Sequence, residues 1–273
     1  MDYRHIFVSL STLLAGLLVL SSCAKTVEPA SEIVFTAGGL SAEVSTKATP
    51  VTALSSFYVL CHMAETPSTG NKAFCTVFSG STSYSGGQFW PTIDAGYRFL
   101  AANAAIADDG SVSVSSDTDV IVAKLVNPAF KAVNTLTFEH IFARVGDVTI
   151  NAPATYNVSD LSVSITPLVS GRYTYGGTWT GTTAGTAQNI SNATAGTKSN
   201  DLWLIPGTYT LTVSYTLTKG QYLERFTKTA PVSLEAGKIN NIRATLPEGN
   251  AVQLTFSVTL NPWVPSSHDT TFS

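Results

Sequence analysis

Residues 252–260 read Val-Gln-Leu-Thr-Phe-Ser-Val-Thr-Leu, so that apolar and polar side chains alternate without interruption. Successive side chains of a β-strand point to opposite faces of a sheet, and this alternation therefore predicts a strand with one buried and one solvated face. The apolar face consists of Val252, Leu254, Phe256, Val258 and Leu260. We expect this segment to be an edge strand of the molecule's own sheet or a strand donated to a neighbouring molecule.

The same period of two recurs in other parts of the chain. Residues 211–218 and 161–165 alternate in the same way. Shorter runs bounded by Gly, Pro, Asn or Ser predict further strands at residues 33–36, 56–61, 73–78, 97–101, 120–125, 145–150 and 230–234. Residues 171–200 are rich in Gly, Thr, Ser and Ala, and we expect a long surface loop or an irregular hairpin there. Many short strands with one polar face predict an all-β chain built from antiparallel β-sandwiches.

Length and composition favour two domains and argue against a nucleic-acid partner. The chain has 273 residues, a formal net charge of -3, 12% charged residues and 44% hydrophobic residues. This hydrophobic content is enough to fill protein cores, and a slightly acidic chain offers no basic surface for a phosphate backbone. The segment Asn-Pro-Ala-Phe-Lys at 127–131 separates two predicted strands about halfway along the chain. The predicted domains are therefore residues 23–130 and residues 131–273, each a β-sandwich.

The first 22 residues have the features of an export signal. Arg4 precedes an apolar run from Ile6 to Leu20, and two serines then lead to Cys23. The run has about 15 residues, which is short of the roughly 20 that a membrane-spanning helix needs. Its end, Leu-Ser-Ser-Cys, resembles the lipobox of bacterial lipoproteins. We expect residues 1–22 to be removed as a lipoprotein signal peptide and Cys23 to carry a lipid that anchors the mature chain to a membrane.

Residues that carry chemistry are few and dispersed. The histidines after residue 22 are far apart and lack the spacing of metal ligands, and the sequence contains no HExxH pattern. Ser267, His268 and Asp269 are contiguous, so that on an extended chain they point in alternating directions and cannot form a catalytic triad. The aspartates at 108–109 and 117–119 could bind calcium, but they lack EF-hand spacing and solvated turns are the simpler interpretation. We predict no enzyme activity, no metal and no cofactor.

Two cysteines remain once Cys23 is assigned to the lipid. Cys61 and Cys75 lie in predicted strands, and residues 65–71 between them predict a turn. A hairpin that turns near Ser68 would bring the two cysteines opposite each other, and a disulfide between them could stabilise the fold by about 3 kcal/mol. Two buried free thiols are the alternative. Both interpretations stay open, because the strand register does not follow from the sequence.

Several short motifs together resemble those of a known family. They are Thr46-Lys47-Ala48-Thr49-Pro50-Val51-Thr52, Ser56-Phe57-Tyr58-Val59, Phe89-Trp90-Pro91, Gly96-Tyr97-Arg98-Phe99, the run from Leu136 to Val145, and Ile205-Pro206-Gly207. In this order, and behind the lipobox, they are similar to the fimbrillin-like family of Bacteroidota, whose members include pilins of the type V pilus. The resemblance extends over most of the chain that follows Cys23.

The resemblance implies a fold and a mode of assembly. The implied fold is two tandem transthyretin-like β-sandwich domains. In polymerising members of the family, a protease cuts the exported lipoprotein after a basic residue beyond the first strand. Loss of that strand opens a groove, which a strand of a neighbouring subunit fills. Lys47 matches the cleavage position by its context, so the candidate processing site is the bond between Lys47 and Ala48.

Two functions follow as expectations. The first is a structural subunit of cell-surface fimbriae that is held at the outer membrane by the lipid on Cys23 and binds other fimbrial subunits in a homopolymer or heteropolymer. The second is a non-polymerising surface lipoprotein that binds a glycan or another host ligand, with Trp179 or Trp203 as a stacking platform. An enzyme is a third class, which no group of residues supports.

Overall fold

The structure is a computed structural model and describes residues 30–39, 53–91, 94–115, 118–151, 154–190, 202–246 and 255–262. Within these ranges all regular secondary structure is β-strand, which confirms the predicted all-β class. No helix among the described residues is long and apolar enough to cross a membrane. The predicted sites Cys23, Lys47, Ala48, Val252 and Leu254 lie outside the described residues. What we expect of them therefore stays a prediction.

The first nine strands belong mainly to one large sheet. They are β1 (Glu32–Gly38), β2 (Ser56–His62), β3 (Lys72–Gly80), β4 (Tyr84–Phe89), β5 (Arg98–Ala102), β6 (Val112–Ser115), β7 (Ile121–Val126), β8 (Asn134–Thr137) and β9 (Glu139–His140). Eight of them, all except β6, form a sheet in the order β8-β1-β4-β3-β2-β5-β7-β9. The two end strands are consecutive in the chain with only Phe138 between them, so the two ends of this sheet lie next to each other.

Alternating side chains of this sheet fill the first core. The rings of Phe35, Phe57, Phe78 and Phe99 are at most 1% exposed. They pack mostly in tilted or edge-on pairs, such as Phe35 with Phe99 and Phe57 with Phe138. Aromatic pairs in these orientations stabilise a core beyond the area that they bury.

The remaining ten strands build a second sandwich and part of the junction. They are β10 (Ala143–Asn151), β11 (Asn157–Ile165), β12 (Leu168–Tyr173), β13 (Trp179–Ala184), β14 (Gln188–Asn189), β15 (Leu202–Leu204), β16 (Gly207–Lys219), β17 (Tyr222–Leu234), β18 (Lys238–Thr245) and β19 (Thr255–Pro262). The sheets β15-β10-β18-β19 and β14-β11-β16-β17 enclose a common core. Strand β16 contributes one face to this core, since its apolar residues Leu211, Val213, Tyr215 and Leu217 are all buried.

A third sheet joins the two halves of the chain. Its order is β13-β12-β6, so that β6 of the first half pairs with β12 of the second, with Ser113 opposite Arg172. A third core lies at the same junction, where Leu60 and Leu100 of the first sheet share one cluster with Phe142 and Trp203. The two halves are therefore joined by backbone hydrogen bonds and by buried apolar side chains.

The hairpin of β12 and β13 lies in the segment that was expected to be a loop or an irregular hairpin. The two strands are antiparallel, and their register shifts between Leu168 and Ser170 and again before Arg172. Of the two alternatives, the irregular hairpin describes this part of the chain. Residues 191–200 of the segment lie outside the described ranges.

The predicted division of the chain after residue 130 stays a prediction. Strands β8 and β9 follow that position, yet they pair with β1 and β7 of the first sheet. Strand β10 pairs with β18 of the second sandwich. These pairings favour a boundary between His140 and Ala143.

Candidate functional site

The first strand lies inside its sheet, between two neighbours. β1 pairs with β4 in antiparallel orientation, with Phe35 opposite Tyr84, and with β8 in parallel orientation, with Phe35 opposite Asn134. The described chain stops at Gly39, one residue after β1, and resumes at Ala53. We call the space that β1 occupies, bounded by β4, β8 and the aromatic side chains behind it, the first-strand slot.

Apolar side chains hold β1 in the slot. Ile33 is 2% exposed and Phe35 is fully buried. The ring centroid of Phe35 lies 5.2 Å from that of Phe78 and 5.0 Å from that of Phe99. Burial of a large apolar side chain contributes about 1.5–3 kcal/mol. These two residues therefore account for much of the free energy that keeps the strand in place.

Polar contacts on the outer face align β1. The hydroxyl oxygens of Thr36 and Thr135 are 2.9 Å apart, and the N–H of Gly87 donates to Oε1 of Glu32 at 3.3 Å. Both contacts are exposed to solvent, and a typical hydrogen bond contributes only about 0.5–1.5 kcal/mol net to stability. They help to set the register, while the apolar face supplies most of the attachment.

The slot closes at its far end on the backbone of Phe138. The N–H of Phe138 donates to the carbonyl oxygen of Gly38 at 2.9 Å. Gly39 has a φ of +81°, and a Cβ atom at this position would lie 2.4 Å from the carbonyl oxygen of Phe138. Only glycine combines this backbone conformation with so close an approach.

A cleft of about 480 Å³ opens at the same end of the slot. Its walls come from the first half and from the turn between β17 and β18, and they include Gly39, Phe138, Glu139, Gly237 and Lys238. Side chains of both charges line it together with apolar groups.

The terminal strand β19 stands at the edge of a sheet in the second sandwich. It pairs with β18, with Val258 opposite Ile242 and Phe256 opposite Ala244. Val258 is half-buried against the second core, whereas Leu260 is 37% exposed. The strand thus lies at the edge of the molecule's own sheet, and its donation to a neighbour stays a prediction.

The two cysteines after Cys23 are free thiols. Cys75 lies opposite Leu60, and Cys61 lies opposite Phe74. This offset of one residue places the two cysteine side chains on opposite faces of the sheet. The disulfide is therefore not formed, and the alternative of free thiols describes the structure. Burial raises the pKa of Cys61 to about 12, so that its thiol stays protonated at neutral pH.

The two tryptophans that we considered for ligand stacking differ in burial. Trp203 is 2% exposed and belongs to the core between the two halves. Trp179 is half-buried, and its ring centroid lies 5.6 Å from that of Phe142 and 5.3 Å from that of Tyr173. The expectation of a stacking platform is wrong for Trp203, whose ring is buried, and it stays a prediction for the half-buried Trp179.

The described aspartates of the two predicted turns are bound by basic side chains. The pairs are Lys72–Asp108, Arg172–Asp109 and His140–Asp119, with N···O distances of 2.6, 3.2 and 2.9 Å. These contacts use the carboxylates that we considered for calcium. Across the described ranges, His, Cys, Asp and Glu side chains form no cluster suited to a metal ion.

Reasoning from the sequence missed the residues that form the slot. Phe78 and Phe99 lie in predicted strands, but nothing in their local pattern indicates that they face Phe35. The pair Gly38-Gly39 directly after a predicted strand was a detectable signal, since consecutive glycines mark special backbone geometry. Its partner, the backbone of Phe138, is distant in the chain and could not be inferred.

The chain is similar to one group of known proteins. A sequence model described as fimbrillin-like matches residues 60–263, well over half of the chain. A solved structure of a candidate cell adhesion protein from Bacteroides uniformis shares 17% identity, covers 87% of this chain and 99% of that chain, and has a TM-score of 0.51. One from Parabacteroides distasonis shares 11% identity, covers 86% and 98%, and has a TM-score of 0.58. No curated protein matches the chain. At such low identities the structures show the fold alone, and they confirm the predicted β-sandwich fold.

Proposed function

The chain belongs to the fimbrillin-like family, and from this premise we propose that it is a structural subunit of cell-surface fimbriae that assembles by strand exchange. A fimbrial or adhesin-like role at the cell surface, structural rather than enzymatic, follows from membership of the family. The steps of assembly go further and rest on the residues of this chain.

The position of β1 in the slot is the observation that supports strand exchange. β1 is the first described strand and is hydrogen-bonded on both edges, and Phe35 is enclosed by the rings of Phe78 and Phe99. Its removal exposes an unpaired edge on β4, another on β8, and an apolar groove between them. A strand from a neighbouring subunit can pair with both edges and fill the groove at the same time, as in strand addition to an open sheet.

The terminal strand is our candidate for the donated strand. Leu254 and Phe256 have the same spacing as Ile33 and Phe35, so that each pair lies on one face of an extended strand. Among the described strands, β19 is hydrogen-bonded to β18 along one edge and to none along the other. Its release therefore costs fewer backbone hydrogen bonds than release of a central strand.

Processing at the bond between Lys47 and Ala48 would couple assembly to release from the membrane. Cys23 and β1 both precede this bond, whereas the strands from β2 to β19 follow it. A cut after Lys47 therefore separates the lipid-bearing segment and β1 from the rest of the subunit. A subunit that is not cut would stay anchored, and its slot would stay filled.

Limited proteolysis with trypsin tests this proposal. We expect the folded protein to be cut after Lys47, to lose the segment that contains β1, and to bind an added peptide of residues 31–39 only after cutting. Lys47→Ala is the matched control and should keep β1 and bind no added peptide under the same treatment. Resistance at Lys47, or a product without β1 that binds no added strand, would instead favour a permanently anchored lipoprotein that binds a glycan or host ligand.

A further inference from the structure

We infer that the first-strand slot selects a strand in which an aromatic residue is followed four positions later by glycine, and that it thereby takes its partner strand from a different fimbrial subunit and not from a second copy of this chain. The inference rests on the proposed function, because it assumes that β1 can be replaced. The inference specifies which strands can take the place of β1.

The aromatic requirement comes from the centre of the slot. Phe35 is fully buried, and its ring is in tilted contact with that of Phe78 and in edge-on contact with that of Phe99. Such an enclosure fits one planar ring closely. A smaller side chain at this position leaves a cavity that the surrounding rings cannot fill without moving.

The glycine requirement comes from the end of the slot. A Cβ atom on the residue at the position of Gly39 would meet three atoms: the Phe138 carbonyl oxygen at 2.4 Å, the Phe138 nitrogen at 3.2 Å and Cγ2 of Thr137 at 3.2 Å. The closest is a backbone atom, which cannot swing away as a side chain can. Phe138 is also fixed by its buried ring, whose centroid lies 5.2 Å from that of Phe57.

The position before Gly39 has room for a side chain, so the requirement for glycine is specific to position 39. A Cβ atom at Gly38 would lie 3.6 Å from Cγ2 of Thr135, an ordinary van der Waals distance. Alanine should therefore be accepted at Gly38 and a side chain should be rejected at Gly39. This difference between neighbouring positions distinguishes a steric clash at Gly39 from a general preference of the slot for flexible chain.

The chain's own terminal segment does not meet the requirement. When Phe256 is placed at the position of Phe35 with the same strand direction, Leu260 falls at the position of Gly39. Shifting the segment by two residues in either direction brings Val258 or Pro262 to that position. None of these registers provides the glycine, and a second copy of the chain is accordingly a poor donor for this slot.

Binding of peptides to the full-length chain tests the inference. Residues 45–50 are replaced by the recognition sequence of a specific protease, so that β1 can be cut from the chain and released. The fluorescent peptides correspond to residues 31–39, the same peptide with G38A or G39V, residues 252–262, and that peptide with L260G. We expect residues 31–39 and G38A to bind equally and G39V to bind about tenfold more weakly or worse. The L260G peptide should bind about tenfold more tightly than the unchanged terminal peptide.

Two results would overturn the inference while leaving strand exchange intact: equal binding of G38A and G39V, or equal binding of the terminal peptide and its L260G variant. Strand exchange itself fails if the cleaved protein binds no peptide, not even residues 31–39, and the inference then fails with it. Fluorescence polarisation distinguishes these outcomes directly.

Discussion

The ring of Phe35 contacts those of Phe78 and Phe99, and none of its surface is exposed. The sequence predicts that residues 33–36 form a strand and that Ile33 and Phe35 share one face. It does not predict which rings receive Phe35, because these come from β3 and β5 and the contact depends on how distant strands pair. At the scale of single residues, sequence pattern therefore identifies buried side chains but not their neighbours.

We expect Phe35→Ala to lower the free energy of unfolding by about 3–5 kcal/mol, since it removes a fully buried ring and leaves a cavity. Phe89→Ala on the adjacent strand is the matched control, because Phe89 is 55% exposed and should lose far less stability. Urea denaturation of the two variants checks this. Equal losses would show that the slot does not enclose the ring as described.

Cys61 should make the protein less stable at alkaline pH. Its pKa is raised by burial from 9.0 to about 12, so the unfolded chain releases the proton at a lower pH than the folded chain. Stability is therefore fully present below pH 9 and falls as pH rises towards 12, by about 1.4 kcal/mol per pH unit from this group. Cys61→Ala should remove that part of the pH dependence. Cys75→Ala, at a half-buried site, should remove less, and identical profiles for the two variants would contradict the assignment.

Among the secondary structure elements, the strands with an alternating apolar face were predictable and those without one were not. Residues 211–218 form part of β16 as predicted, because their apolar face is the core face. Strand β13 was covered only by the alternative of an irregular hairpin, since all its residues after Trp179 are exposed and leave no period in the sequence. The parallel pairing of β1 with β8 was also beyond prediction, because it joins segments about 100 residues apart.

The edge strand β19 allows a direct comparison of its two faces. Val258→Asp should lower the free energy of unfolding of the monomer by about 1–3 kcal/mol, because it places a charge against the second core. Ser257→Asp, on the exposed face of the same strand, should change it by less than about 0.5 kcal/mol. If Val258→Asp leaves monomer melting unchanged but abolishes assembly, the strand acts mainly as a donor. An effect on neither would contradict the packing of Val258.

For the whole molecule, two sandwich domains were predicted, but the way in which they join was not. Strand β6 lies in the first half and pairs with β12, about 55 residues later in the chain. Trp203 was one of two tryptophans considered as an exposed stacking platform for a ligand, whereas it fills the core between the halves. Such a junction depends on both halves being folded, and neither half carries a local signal for it.

Attachment of the whole chain to a membrane is predicted to depend on Cys23. Cys23→Ala should prevent incorporation of labelled fatty acid and shift the protein out of the membrane fraction, because lipid chains on this residue are the expected anchor. Cys75→Ala should leave both measurements unchanged. Equal labelling of the Cys23→Ala chain would contradict the lipoprotein assignment.

The sheet shared by β6 and β12 has a mechanical consequence. If subunits are linked into a fimbrium as proposed, a pulling force on the filament acts on each subunit at two places. These are the first-strand slot in the first half and the terminal strand in the second half. A flexible linker between the halves would stretch first. Here the pull must instead break paired backbone hydrogen bonds and expose Leu60, Leu100, Phe142 and Trp203 to water. A filament of such subunits should keep its length under load until whole subunits unfold.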